Sequence, residues 1–175
     1  MKYYSQLTTP VGEVILAGDR ERLSHIHLMA GTGSPRFAIP ADWISAPQFF
    51  GEAEKQLHQY FQKKRRVFEL PLDLQGTDFQ KMVWQALQEI PYGGVVTYSD
   101  IARKIGRNKA ARAVGLANAR NPLPIIIPCH RVIGADGSLT GFAYGLQMKE
   151  TLLQLEKKPG SDAADQGAGI PHRLV

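Results

Sequence analysis

Three prolines within seven residues, Pro122, Pro124 and Pro128, bracket an apolar run and fix the approach to Cys129, the only cysteine in the chain. Each proline ring holds its own φ at about −65° and pushes the residue before it towards extended conformations. The stretch Asn121-Pro122-Leu123-Pro124-Ile125-Ile126-Ile127 therefore reads as a buried strand that ends at Pro128-Cys129-His130-Arg131-Val132. A thiol is a useful nucleophile only as thiolate, and its ordinary pKa of about 8.5 has to be lowered by an imidazole, a cation or a helix terminus. His130 stands directly after the thiol. The other reading of a lone cysteine is a small buried hydrophobe, and at this point both stay open.

Charge distribution narrows the partner. The 175 residues carry a formal net charge of +5, which by itself only suggests a polyanion. From Val96 to Val132, however, seven Lys or Arg (Arg103, Lys104, Arg107, Lys109, Arg112, Arg120, Arg131) face a single acid, Asp100. That excess flanks the thiol and favours nucleic acid, against the alternative of a solvated helix face. No stretch approaches the roughly 20 apolar residues that span a bilayer, and the N-terminus lacks a charged-then-apolar signal, so a soluble protein without membrane contact is expected. One cysteine excludes an intrachain disulfide, and a free thiol suits the reducing cytoplasm.

The pattern along the chain predicts an α/β (α+β) protein, divided as 1–75, 76–157 and a small, polar, flexible tail at 158–175. Tyr3 to Met29 reads as a short antiparallel meander with turns at Pro10-Val11-Gly12 and Gly18-Asp19. His25 and His27 share a strand face, but no third ligand is evident, so both are expected to be surface or boundary residues and no metal is assigned. Ala30 to Ser45 reads as a loop; Phe50, Ala53, Leu57 and Phe61 mark an amphipathic helix ending near Lys63-Lys64-Arg65-Arg66; Phe68 to Leu74 alternates like a returning strand.

After Gly76 the chain turns helical. Thr77-Asp78-Phe79-Gln80 and Thr97-Tyr98-Ser99-Asp100 both have capping-box spacing, Gly106 stops the second helix, and Asn108 is positioned to cap a third over Lys109 to Arg120. Two short helices around a glycine turn, with cations on the second, form a candidate helix-turn-helix, a pattern that many unrelated helix pairs share.

Together, Pro128-Cys129-His130-Arg131-Val132 and Ala110-Ala111-Arg112-Ala113-Val114-Gly115 resemble the O6-alkylguanine-DNA alkyltransferases, most clearly from about Gly76 to Lys158. The resemblance implies stoichiometric, irreversible transfer of an alkyl group from O6 of guanine, with O4-alkylthymine left open, to Cys129, without metal or organic cofactor. It implies that His130 deprotonates the thiol through a water, that Glu150 orients the histidine, that Asn121 bonds near the active-site turn, and that Tyr98 protonates the departing base. It also implies that the small-residue helix carrying Ala110, Ala111 and Arg120 enters the minor groove, Arg112 filling the space of a flipped base. Glu150, Tyr98 and Arg112 each have a plainer reading as an ordinary helical residue. Gly134 to Gly145 is expected to form a pocket wall through Phe142, Ala143 and Tyr144, with Tyr144 narrowing the pocket against large alkyl groups. The partner implied is double-stranded DNA containing O6-alkylguanine, bound by a monomer, with cooperative assembly on DNA left open. A lesion-binding relative without a nucleophile, a thiol hydrolase and a transcriptional regulator are the rivals, and Cys129 beside a basic helix fits each of them less well.

Overall fold

The computed structural model describes residues 1–29 and 37–157; part of the loop expected over Ala30 to Ser45, and the tail expected from 158, lie outside the described residues. The first half opens with β1 (Tyr3–Thr9), β2 (Gly12–Gly18) and β3 (Leu23–Leu28), an antiparallel meander in register from Tyr3↔Gly18 to Thr9↔Gly12 and from Val14↔Leu28 to Ala17↔His25, with a one-residue shift before Gly18↔Leu23. Val14 to Ala17 on the central β2 are all buried, which is why that strand reads as a continuous apolar run rather than an alternation.

The antiparallel meander that the sequence suggested forms, and one short strand extends it in parallel. β4 (Ile44–Ser45) adds parallel to β1, giving the order β3-β2-β1-β4. The long connection from Leu28 to Ile44 carries the chain to the far edge of the sheet, as a parallel pairing requires. After a 3₁₀ turn at Pro47–Phe49, α1 (Gly51–Phe61) buries Ala53, Gln56, Leu57, Tyr60 and Phe61 on one face. Phe68 to Leu74 does not become a strand. It makes one bridge, Leu23↔Leu72, with Leu23 donating to the Pro71 carbonyl and Asp73 N–H donating to the Leu23 carbonyl; Pro71 has no N–H with which to extend a ladder.

The second half contains α2 (Asp78–Gln88), β5 (Val96–Thr97), α3 (Tyr98–Lys104), α4 (Ala111–Ala119), β6 (Val132–Ile133) and α5 (Leu146–Glu156), with β5 and β6 paired in parallel. Both capping boxes form: Thr77 with Gln80 and Thr97 with Asp100 exchange side-chain and backbone bonds reciprocally. α4 starts later than expected. Ala110 N–H closes a turn on the Arg107 carbonyl, so Ala110, not Asn108, is the N-cap, and no side chain caps it. The Trp84 indole on α2 donates to the Ala117 carbonyl of α4 at 2.9 Å, joining α4 to the core.

Buried apolar side chains form one cluster from Tyr3 to Leu152, so the sheet half and the helical half share a core. Among the described residues no helix is long and apolar enough to cross a membrane.

Candidate active site

The proline-bracketed run is a loop and not the strand that its apolar composition suggested. Ile127 N–H returns to the Leu123 carbonyl at 2.9 Å, and Ile125 sits at φ 75°, a left-handed conformation that a β-branched residue adopts only under constraint. Asn121 supplies much of that constraint. Its side-chain amide donates to the Ile127 carbonyl at 2.7 Å, and its side-chain oxygen accepts from Leu123 N–H at 3.0 Å. Cys129 follows in a 3₁₀ turn, Cys129–Arg131, only 4% exposed. Asn118, on the buried face of α4, reaches the Cys129 carbonyl at 3.3 Å, a tie that no motif announced.

Burial pushes the Cys129 thiol up to about 11, although the Asn121 side chain, Lys149 and two backbone groups act in the opposite direction. The thiol is therefore protonated at neutral pH and needs a base. His130 is fully buried, with Nε2 2.7 Å from Oε1 of Glu156. Burial opposes ionisation of Glu156, but the hydrogen bonds from His130 and Arg131 and the Arg131 charge hold it well below the ordinary carboxylate range, so its oxygens can only accept. The Nε2 atom must then carry the proton. Nδ1, which is left with the lone pair, has no partner among the described residues. Burial keeps His130 neutral more than its carboxylate partner favours the charged form, so the ring can receive a proton.

The carboxylate that meets His130 is thus Glu156, not Glu150. On α5 the buried residues are Met148, Lys149, Leu152 and Glu156, a helical stripe; Glu150 lies off it, in solvent. The signal was present in the i, i+4 step from Leu152 to Glu156, but the resemblance drew attention to the wrong carboxylate. Glu156 also accepts from Arg131 Nε (2.8 Å) and Nη2 (2.9 Å), from the Tyr60 hydroxyl (2.7 Å) and from Gly93 N–H (3.0 Å).

Lys149 is a second residue that the sequence reading missed. It is fully buried, with Nζ donating to the Val132 carbonyl at 2.5 Å and the Thr140 carbonyl at 2.6 Å, and burial pulls it down to about 8 while the Cys129 sulfur acts to raise it. The same Thr140 carbonyl accepts from the Tyr98 hydroxyl at 3.0 Å. Gly141 packs against that hydroxyl: at its φ of 60°, a Cβ would lie 2.7 Å from it. Burial raises the Tyr98 phenol pKa, so it keeps its proton. Phe142 and Tyr144 are half-buried with ring centroids 5.8 Å apart, while Ala143 is exposed. The Tyr144 hydroxyl donates across to the Ile26 carbonyl of β3 at 3.2 Å, and burial together with the nearby thiol pushes it up to about 12.

On the outer side of α4, Arg112, Leu116 and Arg120 point to solvent in a single stripe, with Ala113 and Ala119 beside them; Ala110 and Ala111 are half-buried. His25 and His27, half-buried on β3, stack on each other's rings at 6.0 Å, and His27 stacks on Phe37 at 3.6 Å.

Residues 2–74 match the family described as 6-O-methylguanine DNA methyltransferase, ribonuclease-like domain, and residues 78–158 match its DNA binding domain. The chain belongs to the 6-O-methylguanine DNA methyltransferase family. Within it, the methylated-DNA–protein-cysteine methyltransferase of Methanosarcina barkeri is 55% identical over 155 residues, 89% of this chain and 97% of that one. The Mycobacterium tuberculosis protein of the same name is 46% identical over 157 residues, 90% and 93% of the two chains. The crystal structure of Mycobacterium tuberculosis OGT in complex with DNA superposes with a TM-score of 0.81 at 44% identity, covering 88% of this chain and 92% of that one.

For this member of the family the two acidic candidates separate experimentally. Glu156→Gln should cost about 3–5 kcal/mol in urea unfolding, because it leaves Arg131 buried without its countercharge, whereas Glu150→Gln should stay within about 0.5 kcal/mol. The thiol offers a second test. In the free protein, alkylation of Cys129 by iodoacetamide should be slow at pH 7 and rise towards a midpoint near pH 11, because the raised value leaves thiolate only at high pH; a midpoint below pH 8 would contradict the burial argument.

Proposed function

We propose that this chain repairs DNA by direct reversal, moving the alkyl group of O6-alkylguanine in a duplex onto its own Cys129 sulfur. It is a methyltransferase whose acceptor is part of the protein. The observation that carries the reading is a buried Cys129 followed by a neutral, fully buried His130 whose Nε2 is tied to an ionised carboxylate. That arrangement is built to move one proton off a thiol.

In the reaction, His130 Nδ1 takes the thiol proton through one water, and the resulting imidazolium is held by Glu156. The thiolate attacks the alkyl carbon in line; the S–C bond forms as the C–O6 bond breaks, and the electron pair leaves with guanine. Tyr98, whose phenol keeps its proton, gives that proton to the departing base as general acid. Lys149 faces the developing thiolate with an ammonium otherwise held only by carbonyls, which favours the charged sulfur. The product is a thioether, which no water or base in such a site cleaves readily, so each molecule acts once.

Reaching O6 inside a duplex requires the nucleotide to leave the stack. The exposed stripe of α4 supports minor-groove entry: small residues allow close approach, Arg112 fills the vacated space, and Arg120 meets phosphate. Tyr144, braced by Ile26, narrows the pocket in favour of methyl over larger groups. The division at residues 75 and 76 separates a supporting half from the half that holds nucleophile and helix pair. A monomer acting in the cytoplasm fits the single free thiol.

Mixing the protein with a duplex containing one O6-methylguanine should add one methyl group to Cys129 by intact mass and no more, while Cys129→Ser gains none; a folded wild type that gains none would sink the reading. Arg112→Ala should slow transfer from duplex DNA by roughly ten- to a hundredfold, a loss of about 1.4–2.7 kcal/mol, with reaction towards free O6-methylguanine little changed. Equal slowing of both would remove the flipping role.

A further inference from the structure

The reaction centre lies in the second half of the chain, yet one of the groups that hold it comes from the first. Tyr60 is on α1, is fully buried, and donates to Glu156 Oε1 at 2.7 Å. That same oxygen takes His130 Nε2 at 2.7 Å and Arg131 Nη2 at 2.9 Å. Three donors thus share the lone pairs of one oxygen, and each weakens what the others receive. The Tyr60 ring is packed by Phe61, Phe68 and Tyr92, with centroids 5.3, 5.6 and 6.1 Å away, so a phenylalanine would fill the same volume. What the hydroxyl adds is a bond to the carboxylate that orients His130.

We propose that Tyr60 is a positioning residue for transfer to Cys129: by sharing Glu156 Oε1 with His130, its hydroxyl limits how strongly the carboxylate holds the imidazole's proton. The inference rests on the function proposed above and gives the sheet half a part in the chemistry. A base that must accept a proton from the thiol, at the pH where the protein works, has to start neutral. A Glu156 carboxylate without that sharing would hold the imidazolium more firmly and narrow the pH range over which His130 starts neutral. The groups facing this pair are Arg131 and the Gly93 N–H, both donating to Glu156, Tyr92 beside them with Arg66 stacked at 5.7 Å, and Lys149 from α5. Among the described residues Tyr60 is, apart from His130 itself, the one neutral side chain that donates to the carboxylate. Burial and the adjacent Glu156 raise its phenol well above the ordinary value, so it donates throughout the working pH range.

The test is Tyr60→Phe, with the rate of methyl transfer from duplex O6-methylguanine followed by intact mass from pH 5 to 9, and the His130 ring nitrogens titrated by 15N NMR in the free protein. Removing the donor strengthens the Glu156–His130 bond. The acid limb of the rate profile and the His130 titration should both move to higher pH, by about half to one pH unit, so transfer on the limb falls roughly three- to tenfold while the high-pH plateau stays within about twofold. A limb and a titration that coincide with wild type would overturn the proposal, as would a lowered plateau with an unmoved limb, which is what a purely structural hydroxyl gives. If Tyr60→Phe does not fold, 3-fluorotyrosine at position 60 decides: its phenol is a stronger donor in nearly the same volume, and both readouts should move to lower pH, an unmoved pair being the contrary result. Absence of transfer in wild type would fail the functional reading alone, since the NMR titration still reports the coupling.

Discussion

A single buried carboxylate, Glu156, holds the Cys129–Arg131 turn, the last helix and the sheet half together. Five donors converge on its two oxygens: the Tyr60 hydroxyl, His130 Nε2, two nitrogens of Arg131 and the Gly93 amide. Removing a carboxylate from water costs several kcal/mol, and only a full complement of partners offsets it. Arg131 is completed by the Ile90 carbonyl at 2.6 Å, and its guanidinium lies 5.8 Å from the Tyr92 ring centroid. Because both carboxylate oxygens and His130 Nε2 are held, none can turn without stranding another, and this fixes the orientation of His130 while leaving its Nδ1 free to act.

The N-terminal sheet contributes through its edge. On β3, Ile26 uses both backbone groups outside the sheet: its N–H donates to the Pro122 carbonyl at 2.8 Å, and its carbonyl accepts from Tyr144 at 3.2 Å. The edge that would otherwise invite another chain is thereby closed by the two loops that flank the nucleophile. Loop geometry in the second half and strand geometry in the first are one problem, which accounts for the shared core.

What could be read from the sequence divides along a physical line. Features set by neighbours in the chain were legible: both capping boxes, the apolar face of α1, the meander and its turns. Features set by distant contacts were not. Ile125 looks like a strand residue because its side chain is one, and only Asn121 and the return of Ile127 bend the run into a loop. The parallel β4 and the late start of α4 depend likewise on contacts that no local pattern encodes. Glu156 is a different case, since the helical stripe through Leu152 marked it and a motif-level likeness pointed to Glu150 instead. Lys149 went unnoticed because a lysine is assumed to lie outside.

The burial of Cys129 also bears on chemical selectivity. An unfolded chain would expose a thiol of ordinary acidity, whereas burial in the folded protein pushes it up to about 11. Each unit is a factor of ten, so the native resting state carries about a hundredfold less thiolate than the denatured chain at the same pH. Folding thus insulates the sulfur against the small electrophiles of the surrounding solution. A protein that can react only once gains from such reticence, because its single equivalent is not lost to casual encounters.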